Sequence, residues 1–169
     1  MKISVSFLFV LMIVLSGCEY SVPLVEKKDV PIDESVLGLW EQVPDKSESG
    51  KPADMMLVLK YSDTDYIVHY PTGKDGMYFR AYPVKIDGKV YVQTQLIGTK
   101  DGPAENKDRK FHVVAYSVLG GVLEMKLLNS ELVDKNLQDS AKLMESFLKS
   151  KDDKNLFKDP CRFKKISKL

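Results

Sequence analysis

Two dipeptides, Asp87-Gly88 and Gly120-Gly121, each stand between runs rich in valine, leucine, isoleucine and tyrosine, and each turns the chain back on itself. A two-residue hairpin needs positive φ at its central positions, which Gly and Asp tolerate and branched residues do not. The turn then sets the register, and the register sorts side chains by face. If Ile86 faces Lys89, then Phe79, Ala81, Pro83 and Lys85 share a mainly apolar face with Val90, Val92, Thr94 and Leu96. The opposite face carries Arg80, Tyr82, Gln93 and Gln95 and is expected to be the wetter one. Pairing Leu119 with Val122 groups Val114, Tyr116 and Val118 with Leu123, Met125 and Leu127, and leaves Ser117, Glu124 and Lys126 on the other side. Hairpins with one apolar and one polar face predict an antiparallel barrel or sandwich.

The same pattern extends along the chain. Strands are predicted near Leu37–Val43, Met55–Tyr61, Asp65–Tyr70, Met77–Ile86, Lys89–Ile97, Lys110–Val118, Val122–Leu128 and Cys161–Ile166, separated by turn residues. Pro83 has no N–H to give a ladder, so it should mark an edge or a bulge. From Asp139 to Ser150 the period changes: Ala141, Leu143, Met144, Phe147 and Leu148 gather on one helical side, with Asp139 as N-cap. Asp159-Pro160 reads as a turn into the last strand.

Ahead of this body lies a different kind of segment. Lys2 is followed by an apolar run from Ile3 to Leu15, whose 13 residues suit the h-region of a signal peptide but not a membrane-spanning helix. The run ends in Leu15-Ser16-Gly17-Cys18, which resembles the lipobox of bacterial lipoproteins. That resemblance implies removal of residues 1–17 and lipid on the sulfur of Cys18. Glu19 follows where an Asp would commonly retain such a product in the inner membrane, so the resemblance implies an outer-membrane anchor if the source has two membranes. Residues 18–34, rich in charges and prolines, read as a lipidated tether to a domain over 35–169. Extended, such a tether reaches roughly 60 Å.

Removing the leader takes Lys2 with it, and the 25 basic and 24 acidic side chains of the whole chain come into balance. A neutral chain without a basic stripe argues against a nucleic-acid partner. With Cys18 lipidated, Cys161 has no cysteine left to pair with.

Gly38-Leu39-Trp40 at the head of the first strand resembles the G-x-W motif of lipocalins, and the order of hairpins, amphipathic helix and closing strand resembles that family too. The resemblance implies an up-and-down barrel of about seven or eight strands, mainly β, with one helix before the last strand. It also implies barrel closure by Gly38 and Trp40 with an arginine from the last strand across the indole, here Arg162. Trp40 as a plain core aromatic and Arg162 as a surface charge is the competing reading. Thr64-Asp65-Tyr66 matches another lipocalin motif by letters but lies in the wrong strands for it.

Other motifs carry less. Asp45, Ser47, Ser49 and Gly50 imitate the start of a calcium loop, but Met56 occupies the position that needs a glutamate. His69 and His112 stand outside any HExxH-type pair, and no G-x-S-x-G elbow or phosphate loop is present. Neither a metal nor a cofactor is expected, and Cys161 reads as a packed side chain rather than a nucleophile. By strand phase, His112, Val114, Tyr116 and Met125 are candidates to line a pocket. The expectation is a non-enzymatic, lipid-anchored barrel that binds a small apolar molecule in the cell envelope. The alternative is a packed barrel that docks onto an envelope protein assembly. Cys18→Ser should abolish palmitate incorporation and leave uncleaved or soluble protein, and labelling that survives the substitution would refute the anchor.

Overall fold

The computed structural model describes residues 19–44, 52–73 and 75–167. Cys18 and the calcium-like stretch from Asp45 to Gly50 lie outside the described residues. The strands are β1 (Gly38–Gln42), β2 (Met55–Lys60), β3 (Tyr66–Tyr70), β4 (Met77–Ile86), β5 (Lys89–Thr99), β6 (Gly102–Pro103), β7 (Phe111–Leu119), β8 (Val122–Leu128) and β9 (Phe157–Ser167), with helix α1 (Ser140–Ser150) before β9. β4 pairs with β5, and β1 pairs with β9, so eight strands close on themselves and the two-residue β6 hangs from β5 as a short arm. Every pairing is antiparallel. The fold is therefore the closed up-and-down barrel that the hairpin pattern and the lipocalin resemblance predict together.

Both hairpin registers stand as predicted, with Ile86 opposite Lys89 and Leu119 opposite Val122. The turns need their special residues: φ is +50° at Asp87, +81° at Gly88, +59° at Gly120 and +78° at Gly121. Pro83 sits on an edge, because the pairing of β4 with β3 stops at Ala81 while β4 runs on with β5 alone.

The face opposite the interior on that hairpin is a correction. Tyr82, Val84, Ile86 and Gln93 are buried rather than wet. Tyr82, Val84 and Ile86 form a second core outside the barrel wall, with Leu143 and Phe147 from α1 and Tyr20 and Leu24 from the N-terminal segment. The barrel interior is a separate cluster centred on Trp40, Tyr66, Leu123 and Phe163. α1 is capped as predicted, Asp139 Oδ1 accepting from the Lys142 N–H at 2.9 Å. Its buried stripe is narrower than the sequence implies, since Leu143 and Phe147 are buried whereas Ala141 and Leu148 are exposed. β9 starts at Phe157, four residues earlier than expected. Asp159-Pro160 lies within it, with Asp159 at φ +55° beside a register shift against β8, so the pair makes a bulge and not a turn.

The expected tether is the second correction. Residues 20–33 are a strap bound along the barrel wall, so the packed body begins at Tyr20 and not near Ser35. Tyr20 and Phe111 form an antiparallel bridge, and the Tyr20 hydroxyl donates to Val133 O at 3.2 Å. Farther on, Gln93 Oε1 accepts from Leu24 N (2.8 Å) and Val25 N (3.1 Å), while its Nε2 donates to Val25 O (3.2 Å) and to the Tyr82 hydroxyl. Lys28 lies 4.3 Å over the Tyr82 ring and 3.9 Å from Asp65, and the Ile32 N–H donates to Asp63 O at 2.9 Å. Among the described residues no helix is long and apolar enough to cross a membrane. Gln93→Leu keeps the volume but leaves two strap N–H groups without their acceptor, each worth about 1–3 kcal/mol when buried. Urea unfolding of the variant should show a loss of about 2 kcal/mol or more, and a change within experimental error would mean that Gln93 does not hold the strap.

Candidate functional site

The barrel has two unlike ends. One receives the start of β1, the tight hairpin turns and the end of β9. There a short 3-10 turn, Glu34–Val36, is capped by Asp33, whose side chain accepts from the Ser35 N–H at 2.9 Å. Trp40, with no exposed surface, donates from Nε1 to Val36 O at 2.9 Å. Asp33 is gripped from two strands: its N–H donates to the Tyr66 hydroxyl at 2.6 Å, and the Tyr116 hydroxyl donates to its Oδ2 at 3.3 Å. Burial holds the Tyr66 phenol well above its ordinary pKa, and burial followed by the Asp33 charge pushes Tyr116 up to about 12. Both therefore stay neutral donors at any physiological pH. This end is closed.

The cation at that end is Lys165, which corrects the assignment to Arg162. Lys165 Nζ lies 4.7 Å from the Trp40 ring centroid and donates to Ser35 O at 2.7 Å. Arg162 alternates with the interior residues Cys161 and Phe163, so it points outward, where its Nε bonds Glu124 Oε2 at 2.9 Å. Gly38 (φ +132°) and Trp40 do stand where the first strand meets the last.

The other end is formed by the ends of β1, β3, β5 and β8 and the starts of β2, β4, β7 and β9. Here the inward side chains are half-buried: Val68, Tyr70, Met125 and Cys161 pack against the interior cluster yet keep partial exposure, as does Phe79 opposite Val68. At the closed end, Val58, Tyr66, Leu123 and Phe163 are buried, although Val118 beside the Gly120-Gly121 turn is half-buried. Val118 shows that exposure alone does not tell the ends apart; among the described residues the difference is the 3-10 turn and Asp33, which cover the first end, and the second is termed the open end. Its rim is polar: the Tyr70 hydroxyl donates to Gln42 Oε1 at 3.1 Å, and Gln42 Nε2 lies 3.5 Å from Cys161 Sγ.

Of the candidate lining residues, Tyr116 and Met125 lie opposite each other and are half-buried, and Val114 is buried opposite Leu127. His112 is buried at the mouth on the same face, its Nε2 4.0 Å from Glu19 Oε1. His69 is on the outer face, its ring stacked on Tyr78 at 4.4 Å. The histidines thus belong to different sides of the wall. Among the described residues no group of three His, Cys, Asp or Glu side chains could hold a metal ion.

Asp65 was passed over in the sequence as part of a coincidental motif, but it is buried and binds Arg80 Nε at 2.8 Å and the Ser62 hydroxyl at 3.0 Å. Burial raises its pKa, but the bonds from Arg80 and Ser62 and the charges of Arg80 and Lys28 outweigh this and hold it below the usual carboxylate value. It is the ionic anchor for the strap, not part of the interior.

The fold is an eight-stranded up-and-down barrel with Asp33 and a 3-10 turn across one end. No protein-family model matches the chain, and neither the curated proteins nor the solved structures contain a match to it. Lys165→Ala should destabilise the domain by about 0.5–2 kcal/mol and shift Trp40 emission, because the indole loses its cation. Arg162→Ala, which removes only an exposed pair worth about 0–1 kcal/mol, should leave that emission unchanged. Urea unfolding followed by tryptophan fluorescence reads both, and the reverse ranking would contradict the closed-end assignment.

Proposed function

We propose that this chain is a lipid-anchored lipoprotein whose barrel holds a small apolar molecule in the open half of its interior. The observation that supports the reading is the partial exposure of the inward side chains Val68, Phe79, Tyr70, Met125 and Cys161 in a closed barrel whose other end is covered by Asp33 and the 3-10 turn. The lining there is mostly apolar, from Val68, Phe79 and Met125, with Gln42, Tyr70 and Cys161 grouped at one side. Moving a CH₂ from water into such a lining is favourable by about 0.8 kcal/mol. Association itself costs about 4 kcal/mol or more. A molecule with an acyl-length apolar part therefore suits the site better than a fragment of a few carbons. The lipobox at Cys18 and the lipocalin resemblance of the Gly38-Leu39-Trp40 segment support the same reading, and it assigns the protein no reaction.

A second reading has one observation in its favour. Leu119 is 84% exposed and Ile166 49% exposed, and both lie toward the closed end. An apolar pair of that kind suits a barrel that docks onto another envelope protein.

The two readings separate by ligand binding. The protein starting at Glu19, made without its leader, should enhance the fluorescence of an environment-sensitive apolar dye, and a long-chain fatty acid should compete the dye away. Met125→Trp, which adds bulk to the open half, should weaken dye binding at least tenfold while leaving the far-ultraviolet circular dichroism unchanged. Absence of dye binding in the parent protein, or full binding in the folded variant, would refute the ligand site.

A further inference from the structure

We propose that the strap holds the barrel mouth-down, with its open end against the bilayer that carries the lipid on Cys18. The inference rests on the lipoprotein reading and adds an orientation to it. The partner surface is the lipid bilayer itself.

The argument starts from the direction of the strap. Its first fixed point is Tyr20, at the start of β7; its middle is held by Gln93 of β5; its last points are Asp63, in the β2–β3 turn, and Tyr66. The chain thus enters at the open end and runs along the wall to the closed one. Tyr20 cannot drift from the rim. Its N–H and C=O are both bonded to Phe111 at 2.9 Å, its hydroxyl is bonded to Val133, and its side chain has no exposed surface.

Cys18 lies two residues before Tyr20. Two residues span at most about 7 Å, against roughly 60 Å for a free tether of the same segment. Acyl chains on that sulfur enter the hydrocarbon, so the backbone at Tyr20 is drawn to within a few ångströms of the headgroups. Glu19, between the two, is already within 4.0 Å of His112, which sits at the mouth on the face of the interior residues. The open rim is the part of the barrel that such a short link brings to the surface.

Val43, just past the open end of β1, and Tyr78, near the start of β4, are 44% and 40% exposed on that rim, but Tyr61, Leu119 and Ile166 toward the other end are more exposed, so it is the two-residue link that sets the orientation. With the mouth facing the bilayer, an apolar ligand passes between lipid and lumen without crossing bulk water.

The test uses the full protein purified from membranes. Mass spectrometry first establishes the lipid on Cys18. The protein is then placed in phosphatidylcholine vesicles bearing a nitroxide on the headgroup, with added reporters at opposite ends: Lys100→Trp in the β5–β6 turn and Leu119→Trp at the end of β7. Emission from Lys100→Trp should be quenched several-fold more than that from Leu119→Trp or from Trp40 alone. Inserting a twelve-residue Gly-Ser linker between Glu19 and Tyr20, which spans about 20 Å on average, should erase the difference. Equal quenching of the two reporters in the lipidated parent protein, or stronger quenching of Leu119→Trp, overturns the orientation while leaving the lipoprotein reading standing. Absence of lipid on Cys18 overturns both.

Discussion

Gln93 has no solvent exposure, and its amide holds the outer layer of this protein to its barrel. A buried amide needs partners for its carbonyl oxygen and its NH₂ group, and here Leu24 N, Val25 N, Val25 O and the Tyr82 hydroxyl supply them. Those partners are mostly backbone groups of a segment with no secondary structure of its own. A segment of that kind would otherwise leave buried N–H and C=O groups unsatisfied beside an apolar wall. The glutamine is therefore what allows the strap to lie against Tyr82 and Val84. Tyr20 and Leu24 can then join α1 in covering the outer core.

Burial on both faces of one stretch of wall explains what could and could not be read from the chain. Where one face alone is buried, alternation of side chains reports it faithfully, and the registers at Asp87-Gly88 and Gly120-Gly121 followed from the turns. On residues 82–84 both faces are buried and on 91–93 both are at least half-buried, and alternation no longer separates inside from outside. Tyr82 and Gln93 are polar in composition but buried by a layer whose presence no local pattern announces. The strap was opaque for the same reason: charges and prolines between Glu19 and Ser35 describe a segment without regular structure, and irregular backbone can be bound as well as free. Asp65 shows the converse, a buried charge whose partners Arg80 and Lys28 come from distant parts of the sequence.

The asymmetry between the ends has a simple origin. Short connections gather at one end, and the only longer segment arriving there is the strap, whose Asp33 and 3-10 turn plug the barrel beneath Trp40. Large side chains fill that half. At the other end, the strands are joined by longer connections, and the inward residues of β3, β8 and β9 are left partly uncovered. The chain thus makes base and mouth from the same wall. Of the interior residues expected from strand phase, Tyr116 reaches Asp33 at the base, and Met125 opposite it pairs with Cys161 on the side of the mouth.

The closing contact shows how far phase alone can carry a reading. Phe163 faces the interior, so alternation already sends Arg162 outward, and its place opposite Glu124 follows. What alternation does not show is the register shift in the pairing of β1 with β9. Leu39 faces Ser167, but the next residue, Trp40, faces Lys165, so one residue of β9 is passed over without a partner. That extra residue, Ile166, is turned out to solvent. The shift places Lys165 directly across from the indole and within reach of Ser35 O. A cation over the only tryptophan is thus a product of the bulge: it requires the inward phase of Phe163 and a one-residue slip before the chain ends, and neither alone would bring a basic side chain over the ring.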